Sequence, residues 1–168
     1  MNLKPDSRTG EIWLDANTVK APAVKGATWV AHGITGAMEF SDGTDDTIIA
    51  RRSIPAIMDR SVAPTLTVCW SAAGASPGNC EWQLEIDWLK PGNDTTRAAG
   101  VMARKVAAAS AFSDGMVMTE FTEIGKPKEA DCCLHIRLKR LGAGALDTIV
   151  DTVEELGIRI RFAKKEGM

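Results

Sequence analysis

The chain is 168 residues long, 45% hydrophobic and 25% charged, with 22 acidic against 20 basic residues and two histidines. A net charge of -2 excludes a protein that binds nucleic acid by broad phosphate neutralisation, and the apolar content excludes a disordered charged tail. Five Trp, four Phe and no Tyr give large core-filling rings without phenols, and so little histidine points away from acid/base or metal chemistry, so the composition reads as one soluble, non-enzymatic domain with no cofactor.

Residues 1–15 read as a short N-terminal arm ahead of a single domain over 16–168. No apolar h-region opens the chain, which predicts no secretory signal. No apolar run reaches the ~18–20 residues of a membrane span, so no membrane contact is expected. Short strands are predicted at Glu11–Asp15, Thr28–His32, Ala37–Phe40 and Thr47–Ser53, with the turn Ser41-Asp42-Gly43 between the last two. Thr65–Trp70 alternates apolar and polar residues, and the turn-rich Ala75–Asn79 follows it. Glu81–Trp88 alternates most cleanly, with Trp82, Leu84, Ile86 and Trp88 on one face and Glu81, Gln83, Glu85 and Asp87 on the other.

Beyond the turn Lys90–Asp94, the Ala-rich Arg97–Ala111 predicts a small helical insertion. A strand at Met116–Thr122 and the turn Gly125-Lys126-Pro127 lead to Cys132–Lys139, which turns Leu134, Ile136 and Leu138 inward. Asp147–Leu156 reads as a loop, because its β-branched residues disfavour a long helix. Ile158–Phe162 closes the series with Arg159 and Arg161 outward. Eight or nine short strands, each with one wet face, predict an all-β antiparallel sandwich or barrel. No internal repeat is present, which excludes a shaft of repeats.

Several local signatures need weighing. Gly74-Ala75-Ser76-Pro77-Gly78 matches G-x-S-x-G, but it sits between two strands, where Pro77 and Gly78 read as a hairpin tip and not as a nucleophile elbow. Asp42, Asp45 and Asp46 cluster as Ca²⁺ ligands would, yet without an EF-hand's loop and closing Glu, so a solvated turn is expected and calcium is the alternative. Glu81, Glu85 and Asp87 form a ladder on one strand face and not the cleft a glycosidase needs. Their natural complements are Arg137 and Lys139, and Arg159 and Arg161, met on neighbouring strands or across a subunit contact. Cys69, Cys80, Cys132 and Cys133 have no zinc spacing and are expected as free thiols. If Trp70 and Trp82 face the core, Cys69 points outward and Cys80 inward, so the two cannot bridge. Trp13 and Trp29 are read as further core filling, which leaves a carbohydrate-binding module as the rival from another class.

The succession of segments carries a resemblance. Ile48–Pro55 precedes a strand ending in Cys69-Trp70-Ser71; Asn79–Glu85 follows; later come Gly125-Lys126-Pro127 and the strand Leu134–Arg140. An Asp147-Thr148 loop then leads to the last strand, Leu156–Phe162. Over about Glu39 to Phe162 this resembles the jelly-roll structural proteins of tailed-phage and prophage particles. The chain departs from that pattern in the Ala-rich stretch after Asp94 and in Phe162, where Tyr is more usual. The resemblance implies a jelly-roll sandwich located in the virion and made in the host cytoplasm. It implies a homo-oligomer, a trimer foremost, that decorates or associates with the capsid through the major capsid protein or other virion proteins, with a tail, baseplate or fibre-head place as the alternative. It supplies no catalytic residues.

Overall fold

A computed structural model describes residues 8–32, 35–74, 77–92, 100–112 and 114–166. Ten strands run in chain order: β1 (Thr9–Leu14), β2 (Thr28–His32), β3 (Thr35–Phe40), β4 (Thr47–Ser53), β5 (Thr65–Ala72), β6 (Asn79–Leu89), β7 (Val101–Ala108), β8 (Val117–Phe121), β9 (Cys133–Arg140) and β10 (Val153–Ala163). There is no helix among the described residues. All pairings between these strands are antiparallel. One sheet has the order β2-β3-β10-β5-β8, with β1 also on β10; the other has the order β4-β9-β6-β7.

The alternating faces meet between the sheets. Leu66, Val68 and Trp70 from β5 and Ile158 and Ile160 from β10 pack against Trp82, Leu84 and Ile86 from β6 and Leu134, Ile136 and Leu138 from β9. Trp82 lies edge-on to Phe40 at 5.1 Å and to Trp70 at 6.1 Å between ring centroids, the offset geometry that ring quadrupoles favour. Trp70 Nε1 donates to Thr119 Oγ1 at 2.9 Å, which satisfies its buried N–H.

Three expectations are corrected. The helical insertion over Arg97–Ala111 is absent from the described part: Val101–Ala108 is β7, registered along β6 from Asn79 to Ile86. Its inward Val101, Ala103 and Ala107 pack against the core, where small side chains fit beside the rings of β6. The segment 73–78 is not a hairpin tip either, because β5 and β6 belong to different sheets and the segment turns a corner between them. Gly78 serves that corner at φ +148°, where a Cβ would meet Thr148 O at 2.9 Å. Ser76 lies outside the described residues. The loop predicted up to Leu156 ends sooner, since β10 begins at Val153.

Of the segment read as an arm, Thr9–Leu14 forms β1 on β10, from Thr9 opposite Ala163 to Leu14 opposite Ile158. Residues 1–7 lie outside the described residues. Asp46 accepts Ser41 N–H at 2.7 Å, and Asp42 stands 4.0 Å from Arg140, so this acidic turn is tied into the chain. The four cysteines are free: Cys80 faces the core and Cys69 the opposite side of its sheet, although both are buried.

At one end of the sandwich Arg140 is fully buried. It forks onto Asp147 with Nη2–Oδ1 at 2.8 Å and Nε–Oδ2 at 3.0 Å. It also donates to the carbonyls of Phe40, Ile149 and Asp151 at 3.1, 2.6 and 2.8 Å. Burial works against the guanidinium's charge, but the hydrogen bonds and charge of Asp147 outweigh it and raise the Arg140 pKa. Removing one partner strands a buried charge, so Asp147→Ala should cost about 3–5 kcal/mol in urea unfolding, with Arg140→Lys also destabilising because it loses the fork. An Asp147→Ala cost under about 1 kcal/mol, the scale of an ordinary surface change, would show that the pair does not hold this end.

Candidate functional site

The charged residues singled out from the sequence fall on two opposite surfaces. On the outer face of the four-stranded sheet, β6 presents Glu81, Gln83, Glu85 and Asp87, with β9 beside it. Register places Gln83 opposite Lys139, Glu85 opposite Arg137 and Asp87 opposite His135. Arg137 Nη1 donates to Glu85 Oε2 at 2.8 Å, and Gln83 Nε2 donates to Glu85 Oε1 at 2.7 Å. From the other flank Arg104 Nε reaches Gln83 Oε1 at 3.1 Å, and its Nη1 lies 3.9 Å from Glu81. The long basic side chains lie over the shorter acids, which are therefore buried although they point outward. These charges meet on neighbouring strands of one chain.

Arg159 and Arg161 lie on the outer face of the six-stranded sheet, away from the β6 acids. Arg161 Nη2 bonds Glu11 Oε1 of β1 at 3.1 Å. Arg159 stacks over the Trp13 ring, 5.8 Å from its centroid. Trp13 is 54% exposed and Trp29 52%, which corrects their reading as core filling. Alternation explains Trp13: its neighbours Ile12 and Leu14 take the inward positions of β1. Trp29 lies over Gly36, where a Cβ would stand 2.5 Å from the indole nitrogen. His32 Nδ1 contacts Glu154 on this same sheet.

On the same strand as Arg159 is a group that the sequence does not single out. β1 and β3 share one flank of β10, and the register shifts between Glu155 and Gly157 where one gives way to the other. At this bulge Glu155 is fully buried, and neither of its carboxyl oxygens has a hydrogen-bond partner among the described residues. Burial, with a smaller push from Asp15, raises its pKa to about 8. Burial also raises the thiol of nearby Cys69. Among the described residues, no three or more His, Cys, Asp or Glu come together as metal ligands.

The third surface is an edge. β7 and β8 are terminal strands of their respective sheets and lie side by side. Met102 and Val106 project from the outer face of β7, in register with Glu85 and Glu81, and Met118 from the outer face of β8, in register with Cys69; Phe112 and Met116 lie on the segment between, and all five are exposed. Elsewhere an edge is covered: Lys20 and Ile49 exchange backbone hydrogen bonds at 2.8 and 2.7 Å, and Thr47 pairs with Lys25 and Ala27, along β4. No comparable cover lies along β7 among the described residues.

Two antiparallel sheets packed in this order define a jelly-roll β-sandwich. No family model matches the sequence, and no curated protein matches it. Among solved structures the chain is similar to the CBM35 module of Abf62 from Cellvibrio japonicus, with TM-score 0.50 and 11% identity over 94% of this chain and 100% of that one. It is also similar to a xylan-binding module, CBM15, with TM-score 0.49 and 9% identity over 93% and 99% of the two chains. A family 11 carbohydrate-binding module from Clostridium thermocellum gives TM-score 0.44 and 11% identity over 95% and 92%. At these identities the likeness shows the fold alone.

The Glu155 arrangement has a defined pH consequence. Its folded pKa, about 8, stands above the unfolded value near 4.5. The folded state therefore holds an extra proton between those values, and its stability falls as pH rises through them. Glu155→Gln should remove this contribution, so that its advantage over the parent grows by on the order of 1 kcal/mol per pH unit across the window. Urea unfolding at pH 5, 6.5 and 8 measures it; a difference that does not change with pH would contradict the assignment.

Proposed function

We propose that this chain is a non-enzymatic structural subunit of a tailed-phage particle, an oligomeric protein that decorates or associates with the capsid. The observation that carries the reading is the open β7–β8 edge. A strand edge without cover among the described residues, flanked by Met102 and Val106 on one outer face and by Met118 on the other, is a template for another protein surface. The strand charges are largely matched within the chain, so the contact falls to these apolar side chains and to the strand backbone at the edge, which has no partner among the described residues. A closed ring, a trimer foremost, hides such an edge by seating it on the next subunit. The segment order that resembles phage jelly-roll proteins supports the particle setting, with the major capsid protein as partner; a tail, baseplate or fibre-head position is the alternative within this class. The location is then the virion, after synthesis in the host cytoplasm.

Mass photometry and co-sedimentation with phage heads and tails test the proposal. The parent should run as a trimer and pellet with particles. Val106→Glu combined with Met118→Glu should give a folded monomer that stays in the supernatant. A parent that is monomeric and binds no particle would end this reading.

Carbohydrate binding is favoured by a different observation, the exposure of Trp13 and Trp29. An indole face in water stacks on the C–H face of a sugar, and the modules of similar fold are binding proteins by name. On this reading a glycan array gives a signal that Trp13→Ala or Trp29→Ala abolishes; a blank array for the parent rejects it.

A further inference from the structure

On the outer face of the six-stranded sheet, β1, β10, β5 and β8 lie side by side. Register aligns Trp13 with Arg159, Arg159 with Thr67 and Thr67 with Glu120. The next row holds Gly157, Cys69 and Met118. Gly157, Cys69 and Thr67, in the middle, are small and buried, while Trp13 and Met118 stand 54% and 56% exposed to either side. Strands roughly 4.8 Å apart set β1 and β8 about 14 Å from each other. The face is therefore a trough with a low floor, and every residue that forms it belongs to a paired strand.

The indole forms one wall because the floor beside it is bare. Where a Cβ on Gly157 would stand, Trp13 Cε3 and Cζ3 are 3.8 Å away, so the ring leans over backbone and keeps much of its surface in water. Trp29 is not a second wall of the same trough. It is in register with Met38, which faces the core, so it projects from the other face of the sheet.

Charge in the trough is left open on one residue. Arg161 gives Nε and Nη2 to Glu11 at 3.2 and 3.1 Å, and Arg137 gives Nη1 to Glu85. Arg159 has no acidic partner among the described residues. Its guanidinium lies against Trp13 and makes one long hydrogen bond, Nη2 to Thr67 Oγ1 at 3.5 Å, and its buried Nε has no acceptor. Five donors with one weak acceptor leave the fork free for an oxyanion, which accepts two of them at once with charge assistance. Across Thr67 stands Glu120, an exposed acid that accepts from a hydroxyl and repels a second negative group. The walls thus ask for three things in one ligand: a C–H face for the indole, a single carboxylate for the guanidinium and hydroxyls beyond it.

We infer that the trough between β1 and β8 binds an acidic saccharide, with a uronate ring on Trp13 and its carboxylate on Arg159. The inference rests on the carbohydrate reading and narrows it to one face of the protein and one class of sugar.

The experiment is an amide and indole NMR titration of the full chain with tetragalacturonate and tetramannuronate. The methyl ester of tetragalacturonate, which keeps the hydroxyls and loses the charge, and tetraglutamate, which keeps the charge and loses the sugar, run in parallel. At least one uronate should shift the Trp13 indole and the Thr67 and Gly157 amides saturably, about tenfold more tightly than the ester or the peptide. Trp13→Ala should abolish the shifts of Thr67 and Gly157, Arg159→Gln should bring acid and ester to equal affinity, and Trp29→Ala should change neither, each with the spectrum of a folded protein. Equal binding of the ester at Trp13 overturns the inference and leaves the carbohydrate reading standing, as does uronate binding that is lost in Trp29→Ala and kept in Trp13→Ala. Equal binding of tetraglutamate, an acid preference that survives in Arg159→Gln, or no saturable shift with either uronate also overturns it; a blank glycan array beside that last result rejects the carbohydrate reading as well.

Discussion

One buried ion pair fixes the geometry on which the rest of the sandwich is built. A guanidinium has five N–H donors in a rigid fork. Arg140 places all of them, two on the Asp147 carboxylate and the others on the carbonyls of Phe40, Ile149 and Asp151. The acceptors come from the end of β3 and from the chain leading into β10, while Arg140 itself ends β9, so one side chain ties both sheets at one end. Asp147 also accepts Glu81 N–H at 3.1 Å, and Thr148 exchanges hydrogen bonds with Asn79, which seats the start of β6. Lysine could not replace this arginine, because its three donors on one nitrogen cannot span acceptors set around a plane. The Arg-ending strand and the Asp-Thr loop, which carry the resemblance in the sequence, are the two halves of this clamp.

What could be read from the sequence divides by the range of the interaction that decides each element. β2 and β4 appear with their predicted bounds, and β6 and β9 turn the predicted faces to the core, because period-two alternation is local and one wet face enforces it. β7 was hidden because three alanines, an arginine, a lysine and a methionine of Val101–Ala108 favour helix in isolation and outnumber its two valines. Tertiary packing against Trp82 and Leu84 overrides that preference, and the alternation becomes visible only beside β6. The corner at 73–78 shows the same limit from the other side: Pro77 and Gly78 specify a turn, but which sheet each flanking strand joins is settled by partners far along the chain. Glu155 was invisible for a related reason. Glu155 falls in the segment read as a loop, and only its place on β10, at the register shift where β3 gives way to β1, buries it.

The strand charges were legible as complementary sets, and the structure divides them. Glu85 with Arg137, Gln83 with Arg104, and Arg161 with Glu11 are solved within the chain, so a near-zero net charge reflects internal pairing more than an absence of charge. The surfaces that remain for partners are of another kind. The β7–β8 edge offers apolar side chains and strand backbone along the length of the sandwich, a chemistry suited to protein. The edge arises because β7 is last in its sheet, with no backbone partner on its far side among the described residues, although its own faces alternate fully. The strand hidden by its helix-favouring residues thus positions the candidate contact, while the strands best patterned in the sequence serve the core.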